Sequence, residues 1–159
     1  MKNYLGVGIS IGVLAALWTQ VSVVAGLITW VGFVAWATYF AAGGGFIGLR
    51  NGLLANLSGV VYGWLVAQFL GFATFPGALA VAVGVIALLM CLQAGFAPLS
   101  FIPGAFVGAA SFFGTEFAFW PTVLALVIGA GLGWLSGALG AKIQAGVGKP
   151  APGAEASPA

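Results

Sequence analysis

Charge is almost absent from this chain, and that absence constrains its fold more than any other feature. Between Tyr4 and Ala141 the formal charges are Arg50 and Glu116. A segment of about 20 apolar residues is long enough to cross the hydrocarbon core of a bilayer. Soluble domains carry about 25% charged residues, whereas this chain of 159 residues carries 4%. We therefore expect an integral membrane protein, embedded in the lipid bilayer as one helical bundle.

The apolar stretches divide into six predicted helices. They cover residues 4–24, 27–42, 53–72, 78–93, 101–113 and 121–142. The second and fifth are short: residues 101–113 extend over roughly 20 Å, against a hydrocarbon thickness of about 30 Å. The sequence predicts an all-α, six-span transmembrane domain over residues 1–145. The small-residue and proline segment 146–159 is expected to be a disordered cytoplasmic tail.

The positions of the cations predict the orientation, because Lys and Arg in short loops mark the cytoplasmic side. If Lys2 lies in the cytoplasm, six crossings place Arg50 and Lys142 there too, and Glu116 outside. We therefore expect a multi-pass protein with both termini in the cytoplasm.

An internal repeat relates the two halves, residues 4–72 and 78–142. Residues 11–42 match residues 83–114 at nine of 32 positions, and residues 53–65 match residues 123–135 at six of 13. The two halves begin with crossings in opposite directions, so the pattern predicts an inverted repeat of three plus three helices, with a short second helix in each half. The alternative is a bundle with two short tilted helices packed by small residues.

Short segments at matching places in such a repeat point to a solute site. An unpaired amide in hydrocarbon costs several kcal/mol, so Asn56 and Gln93 are expected to face protein or a water-filled space. Helix-to-helix hydrogen bonding for the amides and core packing for the aromatic residues are the structural alternatives. The predicted solute path consists of Trp36, Thr38, Asn56, Gln93, Pro103, Phe106 and Ser111.

Two Gly-x-x-x-Gly patterns occupy equivalent places in the two halves. They are Gly59 with Gly63 and Gly129 with Gly133, and each is followed by a tryptophan. Small residues at this spacing let helices approach closely. We expect these glycines to pack helices within the bundle or between protomers, and we expect a homo-oligomer.

The missing residue types argue against an enzyme. The chain has no His, no Asp and one cysteine, Cys91, so it lacks a metal-ligand cluster and a nucleophile–base pair. No cofactor and no metal are expected, and the scattered cations do not indicate nucleic-acid binding. Because no ionisable group is evident within the predicted spans, passive movement of solute is favoured over proton-coupled pumping. Sodium coupling through backbone carbonyls stays open.

Several runs resemble the YcdZ-like family, small bacterial inner-membrane proteins that carry a domain of unknown function. These runs are Leu57-Ser-Gly-Val-Val61, Leu89-Met-Cys-Leu-Gln-Ala94 and Ser100-Phe-Ile-Pro-Gly-Ala-Phe-Val-Gly108. The similarity extends over residues 5–142. It implies a location in the bacterial inner membrane and supplies no substrate.

The repeat and the absence of catalytic groups together predict a passive channel or facilitator for a small neutral or weakly polar solute. The alternative is a non-transporting accessory or scaffold subunit that packs against another membrane protein in a larger complex.

Overall fold

The computed structural model describes residues 4–147, and the regular structure within them is helical. The six α-helices are α1 (Leu5–Val24), α2 (Thr29–Ala41), α3 (Gly45–Leu70), α4 (Ala78–Leu92), α5 (Ile102–Gly114) and α6 (Phe119–Val147). Two short 3₁₀ turns, Gln93–Gly95 and Ala97–Leu99, connect α4 to α5. The predicted all-α bundle of six helices is confirmed, and its second and fifth helices are short.

Length and apolar composition would allow four helical segments to cross a membrane: α1, α3, α6, and α4 with its first 3₁₀ turn. The helices α2 and α5 have 13 residues each, and at about 1.5 Å per residue each extends over roughly 20 Å. The first two positions of the predicted tail belong to α6, whereas residues 148–159 lie outside the described residues.

Local sequence accounts for where the helices begin. Three consecutive glycines turn the chain from α2 into α3, with φ angles of 103°, 66° and 59° at Gly43, Gly44 and Gly45. Residues with a Cβ rarely adopt these angles, so the turn depends on glycine. Pro103 lies in the first turn of α5, where its missing N–H leaves no helical hydrogen bond unmade.

The helices α3 and α6 form the centre of the bundle. The helix α5 packs along α3 and α2 packs along α6, while α4 and α1 lie outside these pairs. The outer helices each bury one narrow stripe, and its members follow each other at intervals of about four residues, on one helix face. The buried residues are Gly6, Ser10, Trp18 and Ser22 in α1 and Ala78, Ala82, Ile86 and Met90 in α4.

Two apolar clusters hold these elements together. The first joins α2, α3, α5 and α6 through Val31, Ala35, Val60, Phe112, Ala125 and Leu126. The second joins α3, α4 and α5 through Val66, Ala82, Ile86, Met90, Ala105 and Ala109. Many large apolar side chains of α1 and α4 remain exposed on the outer surface, as expected where the surrounding solvent is lipid.

Candidate functional site

The helix α4 ends beside the middle of α3. At its end, Gln93 Nε2 donates a hydrogen bond of 3.1 Å to Oγ of Ser58, which lies halfway along the 26 residues of α3. From Ser58 to the start of α3 at Gly45 the helix continues for roughly 20 Å, at about 1.5 Å per residue. The connection between α4 and α5 therefore lies near the midpoint of α3.

The helix α5 begins at the same level and runs beside the C-terminal half of α3. A Cβ at Gly104, the third residue of α5, would lie 2.8 Å from the Ala55 Cβ. Further along, the Phe112 ring would lie 2.8 Å from a Cβ at Gly63. Together α4 and α5 form a hairpin that turns near the middle of α3 and returns to the end from which it came.

The helices α1 and α2 form a second hairpin, beside α6. At the start of α1, the Gly6 N–H donates to the Gln144 side chain near the C-terminal end of α6, at 3.1 Å. At the turn, Trp18 Nε1 donates to the carbonyl oxygen of Thr29 at 3.0 Å. The helix α2 leads directly into the N-terminus of α3. It therefore runs from the bundle interior toward the N-terminal end of α3, whereas α5 runs toward the C-terminal end of α3.

Glycine allows the closest helix contacts in both hairpins. A Cβ at Gly59 would overlap the carbonyl oxygen of Ala105, and one at Gly129 would overlap the carbonyl oxygen of Gly32. At the second glycine of each pair the neighbour is aromatic: a Cβ at Gly63 or Gly133 would lie 2.8 Å from Phe112 or Tyr39, respectively. All four glycines of the two patterns therefore lie at contacts between helices of one protomer.

Asn56 is one of the polar residues that this packing encloses completely. It lies in the middle of α3 with no exposed surface, and neither its Oδ1 nor its Nδ2 has a hydrogen-bond partner among residues 4–147. Its Oδ1 lies 3.4 Å from the Cβ position of Gly104, and its backbone carbonyl meets Gly108. An amide buried in this way costs about 1–3 kcal/mol or more unless something bonds it.

Two further buried hydroxyl residues lie on the same line through the bundle. Ser111 is buried with its Oγ unpartnered among the described residues, and it lies two turns after Gly104 on the same face of α5. The Thr38 methyl group lies 3.3 Å from the Cβ position of Gly52, one turn before Asn56 on α3. The Thr38 hydroxyl donates to the carbonyl oxygen of Val34. We call the line formed by Thr38, Asn56 and Ser111 the central seam.

The other four residues of the predicted path lie away from the central seam. Trp36 Nε1 donates to Ser136 Oγ at 2.9 Å, on the side of α2 that faces α6. Gln93 bonds Ser58 through its Nε2, whereas its buried Oε1 has no partner among residues 4–147. Ser58 lies two residues from Asn56 on α3, which is about 200° around the helix. Pro103 and Phe106 are exposed. The Phe106 ring lines an apolar surface groove of about 190 Å³ with residues of α4.

The structure also assigns contacts to residues that the sequence did not single out. Ser136 accepts the Trp36 hydrogen bond, and its backbone carbonyl accepts one of 2.8 Å from the Ser10 hydroxyl. Gly104 and Gly108 line the central seam beside Asn56. Their spacing of four residues in α5 is the signal that marks them in the sequence.

Comparison with known proteins assigns the family. Residues 8–141 match the family described as "Protein of unknown function (DUF1097)". This chain belongs to that family. The DUF1097 protein is 38% identical over 115 residues to "Inner membrane protein YcdZ" of Escherichia coli (strain K12), which covers 71% of each chain.

Two further relatives agree with this assignment. The protein of the same name from Salmonella typhimurium is 38% identical over 117 residues, covering 71% of this chain and 72% of the relative. "Uncharacterized protein YahC" of Escherichia coli (strain K12) is 33% identical over 158 residues, covering 91% of this chain and 94% of the relative. No solved structure matches this chain. The predicted resemblance to the YcdZ-like family is confirmed, and the DUF1097 protein is a membrane protein.

Proposed function

We propose that this DUF1097 protein is a passive facilitator that lets a small neutral or weakly polar solute cross the bacterial inner membrane, without a catalytic step or a cofactor. The observation that carries the proposal is that the buried Asn56 amide has no hydrogen-bond partner among the described residues. An amide that only joined two helices would have a bonding partner on the neighbouring helix. A solute passing along the central seam would bond this amide in transit.

The route follows the central seam from Thr38 through Asn56 to Ser111. Each of these side chains carries a hydroxyl or an amide and no charge, so a hydrogen-bonding molecule without charge is the solute that the seam fits. The buried Ser111 Oγ, unpartnered like the Asn56 amide, supplies a second bonding group. From Gly104 to Ser111 the rise of α5 is about 10 Å, so a solute would move between two separate stations.

The proposed scaffold is an inverted repeat with both termini in the cytoplasm. Its support is that each hairpin places a half-length helix against a long helix through a glycine: Gly59 meets Ala105, and Gly129 meets Gly32. Three of the buried residues of α1, namely Gly6, Ser10 and Trp18, lie 72 positions before Ala78, Ala82 and Met90 of α4. In this arrangement α2 and α5 begin near the bilayer middle and leave it in opposite directions.

The test is solute entry into proteoliposomes. Vesicles containing the protein are expected to swell in urea or glycerol faster than empty vesicles, and Asn56→Leu is expected to return the rate to that of empty vesicles. Gln93→Leu is the matched control, because it removes an amide that lies off the central seam, and it should keep the wild-type rate. No acceleration by the wild-type protein across a broad panel of small uncharged solutes would contradict the proposal.

One observation favours the accessory-subunit alternative. Gly8 and Gly12 of α1 are exposed, and a Cβ at either position would meet nothing within 4 Å. Their four-residue spacing would accept another helix, from a second copy of the chain or from a different membrane protein. Native mass measurement of the purified protein tests this. A homo-oligomer fits the facilitator, whereas recovery only within a hetero-complex, together with inactive proteoliposomes, would favour the accessory role.

A further inference from the structure

The first turn of α5 lies beside the Asn56 amide. The Cβ position of Gly104, in that turn, lies 3.4 Å from the Asn56 Oδ1. Side chains do not cap this helix start, where the Ile102 and Gly104 N–H groups donate to the backbone carbonyls of Ser100 and Phe101. A helix N-terminus carries the equivalent of about half a positive elementary charge. A buried, unpartnered amide and a positive helix end therefore meet at one point in the interior.

A positive helix end of this kind repels cations at the centre of a pore. The other half-length helix, α2, begins beside the opposite end of α5: a Cβ at Gly114, the last residue of α5, would lie 3.1 Å from the Trp30 ring. The potential at Asn56 is therefore attributed to α5 alone.

The charged side chains nearby do not offset this potential. Within residues 4–147 the one acidic residue is Glu116, which follows the C-terminal end of α5, far from its start. Arg50 lies on α3, six residues before Asn56, and adds positive charge on that side. An anion would find no Arg or Lys on the central seam to offset the loss of its hydration.

We infer that the Asn56 site selects uncharged solutes that both donate and accept hydrogen bonds, and that it excludes cations, because an unpartnered amide faces a positive helix end with no carboxylate beside it. The Asn56 Nδ2 donates to an oxygen of the solute, and the Asn56 Oδ1 accepts from a solute hydroxyl or amine. This selectivity rests on the proposed function for the role of the site, and it excludes sodium coupling at this position.

Cysteine labelling tests the selectivity without measuring transport. Native Cys91 is first replaced by serine, and Asn56→Cys is then introduced into the full-length protein in liposomes. The probes are two methanethiosulfonate reagents of matched size, hydroxyethyl (uncharged) and aminoethyl (cationic), at a pH that keeps the amine protonated. Glu116→Cys, at an exposed loop position, gives the reference ratio of the two rates. Leu126→Cys is the matched apolar position in the other half.

At position 56 the uncharged reagent is expected to react at least about tenfold faster than the cationic one, relative to the ratio at position 116, since even half a charge acts strongly in a low-dielectric interior. At position 126 neither reagent should react. Equal relative rates at position 56, or no reaction with either reagent, would overturn the inference. Ser111→Cys, which differs from the native residue by one atom, is the second reporter and should show the same preference if Asn56→Cys does not fold.

The labelling experiment and the swelling assay test the two proposals independently, so one proposal can be contradicted while the other stands. Preference for the uncharged reagent without solute entry would contradict the proposed function and leave the site selectivity standing. Solute entry without that preference, or with potassium leakage from the same vesicles, would contradict the selectivity and leave the facilitator standing.

Discussion

The contact of α5 with α3 and the contact of α2 with α6 use the same glycine device but differ in polarity. At the first contact Gly59 meets the Ala105 carbonyl three residues after Asn56. At the second contact Gly129 meets the Gly32 carbonyl three residues after Leu126. Asn56 and Leu126 are both fully buried.

This difference shows that the helix packing does not require a polar residue at this position. Leu126 joins the apolar cluster around Val31 and Val60, so an apolar residue can fill this position in the fold. Asn56 fills the matching position with an amide that no described residue bonds. A buried amide of this kind lowers stability, so its presence is better explained by a ligand than by helix packing.

The largest expected effect comes from the glycines that the two contacts share. Gly59→Leu and Gly129→Leu each force a side chain into a backbone carbonyl, which cannot move without separating the helices. We expect both variants to lose the folded state, a cost above about 4 kcal/mol. The yield of monodisperse protein in detergent measures the effect. Gly84→Leu, at an exposed position of α4 where a Cβ would meet nothing within 4 Å, is the control, and tolerance of either buried variant would contradict the described packing.

Replacing the polar residue of one contact by an apolar one, and the apolar residue of the other contact by a polar one, should change the free energy of unfolding in opposite directions. Asn56→Leu removes an unbonded amide and is expected to stabilise the protein by about 1–3 kcal/mol. Leu126→Asn buries a new amide within an apolar cluster and should destabilise it by at least a similar amount. Equilibrium unfolding in mixed micelles measures both changes. Destabilisation by Asn56→Leu would mean that the amide has a structural bonding partner.

A smaller effect is expected at the side-chain hydrogen bonds between α2 and α6. The contact of α5 with α3 has no such bonds at the matching place among the described residues. Ser136→Ala removes the acceptor of the Trp36 indole N–H, leaving that group buried without a partner. The expected cost is about 1–2 kcal/mol, measurable by the same unfolding assay. Thr19→Ala, which removes a hydroxyl bonded only within its own helix on the exposed face of α1, is the control. A cost at Ser136 no larger than at Thr19 would show that the indole finds another acceptor.

The smallest effect is expected on the outer faces of α1 and α4. Gly12 and Gly84 lie 72 positions apart, and a Cβ at either would meet nothing within 4 Å. Gly12→Ala and Gly84→Ala should each stabilise their helix by up to about 1 kcal/mol. Native mass measurement then compares the two. A change of oligomeric state with Gly12→Ala alone would show that α1 contributes to an interface between protomers.

The sequence predicted the helices better than it predicted their depth and rotation. Glycines and prolines divide the apolar runs clearly, so the six helices and the short lengths of α2 and α5 follow from the printed residues. The sequence predicts that the connection between residues 93 and 101 joins two crossings, whereas Gln93 lies beside Ser58, halfway along α3. Hydropathy reports whether a segment is apolar and not how deep it lies, so an apolar connection gives no warning of this placement.

For a related reason, the sequence does not predict the rotation of each helix about its own axis. When every face of a helix is apolar, its periodicity does not tell which face meets protein and which meets lipid. Asn56 and Gln93 both carry amides, and the fold encloses Asn56 completely while Gln93, at the end of α4, bonds Ser58 on α3. The predicted path includes Phe106, a residue of the short helix α5, yet its ring is exposed on the outer surface.

Solid-state NMR of the protein in lipid bilayers, with the asparagine side-chain amides labelled with ¹⁵N, tests most directly whether the Asn56 amide is a solute contact. If solute contacts Asn56, its side-chain amide exchanges protons with water, and its chemical shift changes when urea is added. The Asn51 amide, near the N-terminal end of α3, provides the internal reference. An Asn56 amide that neither exchanges with water nor responds to urea, while Asn51 exchanges, would contradict a solute contact at Asn56.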